Sequence, residues 1–206
     1  MPDWDYIFSE RGKVFTEPHT DMEKIGDIFK ENQVQKILDI GCGTGRHLIF
    51  LSKKGFEMYG FDASPKGISI AKQWLNEENL RAEIKYHKME EPFPYPNNTF
   101  DAIISIKVIH HNRMKDILRT VGEIEKVLKK GGLIFITFPK LGETWKNDGY
   151  LQEIEKGTYL PQRGKEKGLV HHFFTLEEIQ DVFKSFDLTE VYDDGKNHRA
   201  ILGIKR

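Results

Sequence analysis

One pattern constrains this chain more than any other: short apolar runs alternate with helix-length amphipathic segments. The first run, Lys36-Ile37-Leu38-Asp39-Ile40, stops at Gly41 and reads as a buried strand. Arg46 to Lys54 follows as a helix with Leu48, Ile49 and Leu51 on its face, and Gly55 ends it as a C-cap. Phe56 to Phe61 reads as the second strand, and Ser64-Pro65 opens a helix to about Glu78 with Ser as N-cap and Pro at its first position. Ala82 to His87 alternates like a strand, and the prolines and asparagines between Glu90 and Thr99 demand an irregular loop. Phe100 to Ile106 is a fourth strand, Arg113 to Lys130 a strongly amphipathic helix ended by Gly131-Gly132, and Leu133 to Phe138 a fifth strand. Asp21 to Glu31 has helical spacing, and Thr175 with Glu178 forms a capping-box signal for a further helix. Two closing strands, Asp187 to Tyr192 and Arg199 to Lys205, are too close for a helical crossover, so they pair antiparallel through Asp194-Gly195-Lys196-Asn197. The expectation is a single-domain α/β fold: a doubly wound, Rossmann-like, mostly parallel sheet with an antiparallel C-terminal hairpin.

Composition narrows the function classes. Thirty-one basic against 32 acidic side chains leave a net charge of -1, which disfavours a globally basic nucleic-acid binder. With 14 Phe, 7 Tyr and 3 Trp, the chain has enough aromatic surface to build a core. Cys42 is the only cysteine, so an internal disulfide framework is excluded and a reducing, cytoplasmic setting is expected. Neither a signal peptide nor a membrane-length apolar run is visible, so no membrane partner is expected.

The loop Gly41-Cys42-Gly43-Thr44-Gly45 sits where the first strand turns into a helix. Gly41 and Gly43 allow backbone angles and close approach that a Cβ would forbid. Dinucleotide enzymes also place glycines here, but in the pattern Gly-x-Gly-x-x-Gly. Asp39, two residues upstream, would repel a pyrophosphate and attract a cation. Asp62 ends the second strand about 20 residues on, where an acid accepts hydrogen bonds from ribose hydroxyls.

Leu38 to Arg46, Gly60 to Ser64, Phe100 to Ile104 and Val127 to Gly132 together resemble the class I S-adenosylmethionine-dependent methyltransferases, especially their small single-domain members. The likeness runs in register from about residue 34 to 138. It implies a seven-stranded sheet with the last strand inserted antiparallel, and S-adenosyl-L-methionine as cofactor. It also implies roles: Asp39 near the methionine amino group, and Gly41, Cys42 and Gly43 under the methionine and ribose. Asp62 and Ala63 fall at the ribose hydroxyls, Met89 and Glu90 against the adenine, and Ile106 at the methionine end. The Asp that commonly meets the adenine amino group is absent; Lys88 or Met89 stands in its place.

Residues past the fourth strand would meet the methyl acceptor, which makes His110 and His111 candidate proton acceptors; a His that merely caps a carbonyl is the competing reading. Residues 139–174 form a long connection rich in aromatics (Trp145, Tyr150, Tyr159, Phe173, Phe174) with His171 and His172. It is expected to be an acceptor lid with a short helix around Gly149 to Lys156, and His172 is a third catalytic candidate. With one Cys and no constellation of His and carboxylates at ligand spacing, no metal site is expected. Residues 1–33 are read as an N-terminal cap segment, with Tyr6 or Arg11 reaching the methionine carboxylate. The function expected is in-line methyl transfer to a small-molecule acceptor by a monomer or homodimer. An NAD-dependent dehydrogenase, a catalytically silent S-adenosylmethionine-binding scaffold and an RNA methyltransferase are the alternatives, though no separate RNA-binding module supports the last.

Overall fold

The computed structural model describes residues 4–142 and 149–206. Helices α1 (Trp4–Arg11) and α2 (Met22–Glu31) lead into β1 (Lys36–Ile40), α3 (Arg46–Lys53), β2 (Glu57–Asp62), α4 (Pro65–Glu77) and β3 (Ala82–Tyr86). After an irregular connection come β4 (Phe100–Ile106), α5 (Met114–Val127) and β5 (Leu128–Pro139). Then follow β6 (Leu151–Glu155), β7 (Thr158–Pro161), β8 (His171–His172), α6 (Leu176–Val182), β9 (Phe186–Asp193) and β10 (His198–Lys205). The main sheet has seven strands in the order β3-β2-β1-β4-β5-β10-β9. Strands β1 to β5 run parallel, while β10 is antiparallel to both β5 and β9.

Side-chain alternation along the strands explains the layering, because neighbours in a strand face opposite sides of the sheet. Ile37, Met58, Ile104 and Phe135 pack on one side with α2, α3 and α4. Leu38, Phe61, Ile103, Ile134 and Ile201 pack on the other with α5 and α6. The inner strands β1, β4 and β5 are buried on both faces along their apolar runs, whereas the edge strands β3 and β9 are partly exposed. Chain order reverses between β1 and β4, which opens a crevice at their carboxyl ends.

Local signals behave as their chemistry dictates. Ser64 caps α4 by accepting a hydrogen bond from the Gly67 N–H at 2.9 Å. Thr175 and Glu178 form the complete capping box on α6.

Two expectations fail. Helix α5 stops at Val127 rather than Lys130, because the Asn98 and Thr99 N–H groups capture the Lys126 and Val127 carbonyls and Leu128 pairs with Phe100 at the start of β5. The helix expected around Gly149 to Lys156 is instead strand β6, paired with β7 across Gly157, whose φ of +74° permits a tight turn. Strand β8 adds to β7, so the connection carries a small three-stranded sheet; tertiary pairing overrides the local helix preference of Leu151 to Lys156. Trp145 lies outside the described residues. Among the described residues, no helix is long and apolar enough to cross a membrane.

Candidate active site

The crevice at the switch point is a cavity of about 650 Å³. Its floor is the glycine loop. The Gly41 and Cys42 N–H groups both donate to the Phe61 carbonyl, tying the loop to the end of β2. Gly41 has φ +68°, and a Cβ there would lie 2.4 Å from Val108 Cγ1. The loops after β1 and β4 can therefore touch only because residue 41 has no side chain. Gly43 donates its N–H to Asp62 Oδ2 at 2.8 Å, and Ser64 donates its N–H to Asp62 Oδ1 at 2.8 Å. The Asp62 carboxylate is fixed from both sides at the cavity wall. Burial pushes its pKa up, and those backbone N–H groups hold it down in part.

Gly41, Cys42, Gly43, Asp62, Ala63, Met89, Glu90 and Ile106 all line this cavity. Asp39 lies just beneath it. It is 1% exposed, and its Oδ2 has no hydrogen-bond partner among the described residues. Burial pushes its pKa up to about 8, opposed by the Arg46 charge and reinforced by Asp62. A buried carboxylate oxygen without a donor is costly, and a ligand ammonium group is what would satisfy it. The loop, Asp39 and Asp62 thus fit an adenosyl amino acid with a positive end, and they fit a pyrophosphate poorly.

Helix α1 closes one side through Trp4, Asp5 and Phe8. Asp5 accepts hydrogen bonds from Ser64 Oγ at 2.6 Å and the Lys66 N–H at 2.8 Å, so α1 is pinned to the start of α4, next to Asp62. Tyr6 and Arg11 are both exposed, and neither lines the cavity. Helical spacing puts Trp4 and Phe8 on the inner face and leaves Tyr6 outside it.

The far end is walled by imidazoles. The rings of His110 and His111 are 4.0 Å apart, and His171 lies 4.6 Å from His111 and 5.5 Å from His110. Trp4 meets His111 edge-on at 5.5 Å. His111 Nδ1 lies 3.1 Å from the Val170 carbonyl, which only accepts, so that nitrogen donates and the Nε2 lone pair is left toward its neighbours. Burial and His171 push the His111 pKa down to about 4, and burial pushes His110 well down too. His171 makes contacts of 2.9 Å to the Leu169 carbonyl through Nδ1 and to Glu166 Oε2 through Nε2.

His172 is not part of this wall. Its side chain is buried on the opposite side of β8, with Nδ1 2.8 Å from Thr158 Oγ1 and its ring against Phe174. Adjacent residues in a strand point to opposite faces, so only one of the pair His171-His172 can reach the cavity. Its backbone does contribute: the His172 N–H donates to the His110 carbonyl at 2.8 Å and couples β8 to the loop after β4.

Polar cavity residues that the sequence reading did not assign to the site include Asp5, Arg46, Lys107 and Glu166. Arg46, next to the last glycine, carried a signal in its position at the start of α3. Lys107 carried none, yet it takes φ +63°, held by its N–H donating to Thr137 Oγ1 at 3.0 Å. Glu166 is brought in by the small sheet, which the sequence pattern did not reveal.

A family model described as a methyltransferase domain matches residues 37–132. The chain is 30% identical over 132 residues to a ubiquinone biosynthesis O-methyltransferase of Bartonella tribocorum, an alignment covering 60% of this chain and 51% of that protein. The chain spans about half the length of that curated relative. A crystal structure of a protein from Pyrococcus horikoshii OT3 superposes with TM-score 0.76 at 19% identity, covering 96% of this chain and 99% of that one. A structure of a SAM-dependent methyltransferase from Methanosarcina mazei superposes with TM-score 0.73 at 23% identity, covering 86% and 96%.

Proposed function

We propose that the chain is a class I S-adenosylmethionine-dependent methyltransferase and that it transfers a methyl group to a heteroatom of a small-molecule acceptor. The observation that carries this reading is the pairing of Asp39, buried with an unpartnered oxygen, and Asp62, fixed by backbone N–H groups, on either side of the glycine loop. Asp39 would take the amino group of the cofactor, directly or through water, and Asp62 its ribose hydroxyls. Met89 and Glu90 would flank the adenine, with Gly41, Cys42, Gly43, Ala63 and Ile106 as close backbone or apolar contacts. S-adenosylmethionine supplies a methyl group already activated on a sulfonium, so the protein needs no covalent intermediate.

The protein's work is to hold the acceptor in line and exclude water. Residues 139–174 would act as the acceptor lid, since Glu166, Leu169, Val170 and His171 line the same cavity as the glycine loop. The N-terminal segment, residues 1–33, would act as a cap through Trp4 and Phe8. The imidazole wall is the acceptor end. His111, oriented by Val170, faces it with a lone pair, and His110 lies directly behind. The curated relative is named for O-methylation, which supports a hydroxyl as the acceptor group.

Calorimetric titration with S-adenosylmethionine tests the reading. Binding by the wild-type chain, weakened at least tenfold in Asp62→Ala, is expected. A folded sample that does not bind, or an Asp62→Ala variant that binds equally well, would overturn it.

A further inference from the structure

The imidazole wall has features that a simple acceptor pocket does not need. His110, His111 and His171 each offer one ligand atom, and those atoms lie within 4.8 Å of one another. They come from two separate elements, the loop after β4 and strand β8, joined by the His172 N–H to His110 carbonyl bond. A carboxylate is already present, because Glu166 Oε2 is 2.9 Å from His171 Nε2. His110 is only 3% exposed, yet its Nδ1 has no hydrogen-bond partner among the described residues.

We propose that His110, His111 and His171, with Glu166 beside them, form a binding site for a divalent transition-metal ion, zinc by preference, at the acceptor end of the cavity.

Three arguments carry it. First, the rings are held as ligands usually are. A metal-binding histidine commonly anchors its other ring nitrogen on a carbonyl or carboxylate, which fixes its orientation. His111 has Nδ1 on the Val170 carbonyl, which leaves Nε2 as its free nitrogen, and His171 has Nδ1 on the Leu169 carbonyl; His171 Nε2 now donates to Glu166, so an ion would take the place of that proton. Second, the donor set selects the ion. Three imidazoles and one carboxylate suit zinc and its neighbours in the first transition row, whereas magnesium and calcium prefer all-oxygen sites. Third, the spacing needs only a small contraction. Two ligands about 2.05 Å from a tetrahedral ion are roughly 3.3 Å apart, so the cluster closes by up to about 1.5 Å. The His171–Glu166 contact is already shorter than that separation, and it would open slightly as both groups turn to the ion.

A metal ion lowers the pKa of a hydroxyl drawn onto it. The acceptor class this favours is a hydroxyl compound whose oxygen joins the ion as a fifth ligand or in place of Glu166. That acceptor assignment rests on the proposed function; the metal site itself does not.

The test uses the full chain, stripped with a chelator and dialysed at neutral pH. Titration with Co²⁺ is expected to develop visible absorption bands that saturate at one equivalent and disappear on adding Zn²⁺. His111→Ala and His171→Ala should each weaken binding at least tenfold while far-UV circular dichroism stays unchanged. In case a variant does not fold, ring-nitrogen NMR of the wild-type chain gives a second readout. Zn²⁺ should shift the signals of His110, His111 and His171 and leave His87 unmoved. No binding of either ion below about 100 μM, or shifts confined to other histidines, would overturn the inference. S-adenosylmethionine titrated into the same stripped sample separates the two readings. Retained cofactor binding without metal binding sinks only the metal site, and absent cofactor binding sinks only the proposed function.

Discussion

In its proposed role, Asp39 would serve binding at the expense of stability. Its pKa of about 8 in the folded chain lies far above the unfolded value near 3.8, because burial disfavours the charge. The folded state therefore keeps a proton between those two values that the unfolded state has released. The stabilisation is complete below about pH 4 and is lost progressively as pH rises through 8, amounting at most to the order of 5 kcal/mol. Two outcomes follow for the ligand-free chain. Its midpoint in urea should fall as pH is raised from 5 to 8, and Asp39→Asn should flatten that dependence while greatly weakening cofactor binding. A cationic amino group arriving beside Asp39 would favour its charged form. Calorimetry at pH 7 in buffers of different ionisation enthalpy should then report release of close to one proton per cofactor bound. At this scale the positions of the glycines, Asp39 and Asp62 were legible because they mark strand ends at a set spacing, while the role proposed for Asp39 comes from the family resemblance. Asp5 and Lys107 were not legible, since each acquires its position from contacts distant in sequence, and Glu166 was not, since it sits in the connection between β7 and β8.

At the level of elements, the regular ones were readable and the inserted sheet was not. Strands β1 and β4 and helix α4 carry unbroken local signals: apolar runs, a Ser-Pro start and helical spacing. Strands β6, β7 and β8 are only five, four and two residues long. Strand β6 is largely uncovered, so no clean alternation marks it. Their order comes from pairing, which a single sequence does not display. Helix α6 offers a direct test of the local signals. Thr175→Ala removes the hydroxyl that accepts the Glu178 N–H at 3.1 Å and should cost about 1 kcal/mol, read as a lower urea midpoint with unchanged slope. Because α6 covers the face of the sheet opposite α2 to α4, cofactor binding should be unaffected.

For the whole molecule, stability rests on a sheet whose inner strands are buried on both faces. Ile201, fully buried in β10, touches the layer shared with α5 and α6. Ile201→Ala should cost on the order of 2 to 5 kcal/mol by denaturant titration, the range for emptying a packed position. The topology was legible in outline: alternation gave the parallel sheet, and the short spacing of the last two strands gave their antiparallel pairing. Insertion of β10 between β5 and β9 came only from the family resemblance, since periodicity alone does not say which strand sits inside.

That insertion has a consequence for how the chain assembles as it is made. Among the described residues, strand β9 has β10 as its sole neighbour in the sheet, yet β10 is the later of the two to leave the ribosome. Up to β5 the parallel half can zip together in order of synthesis, but its edge stays open until His198 to Lys205 emerge. A pause in translation just before that point would leave an unpaired, strongly apolar border waiting in the cell, which is where chaperones would be needed most.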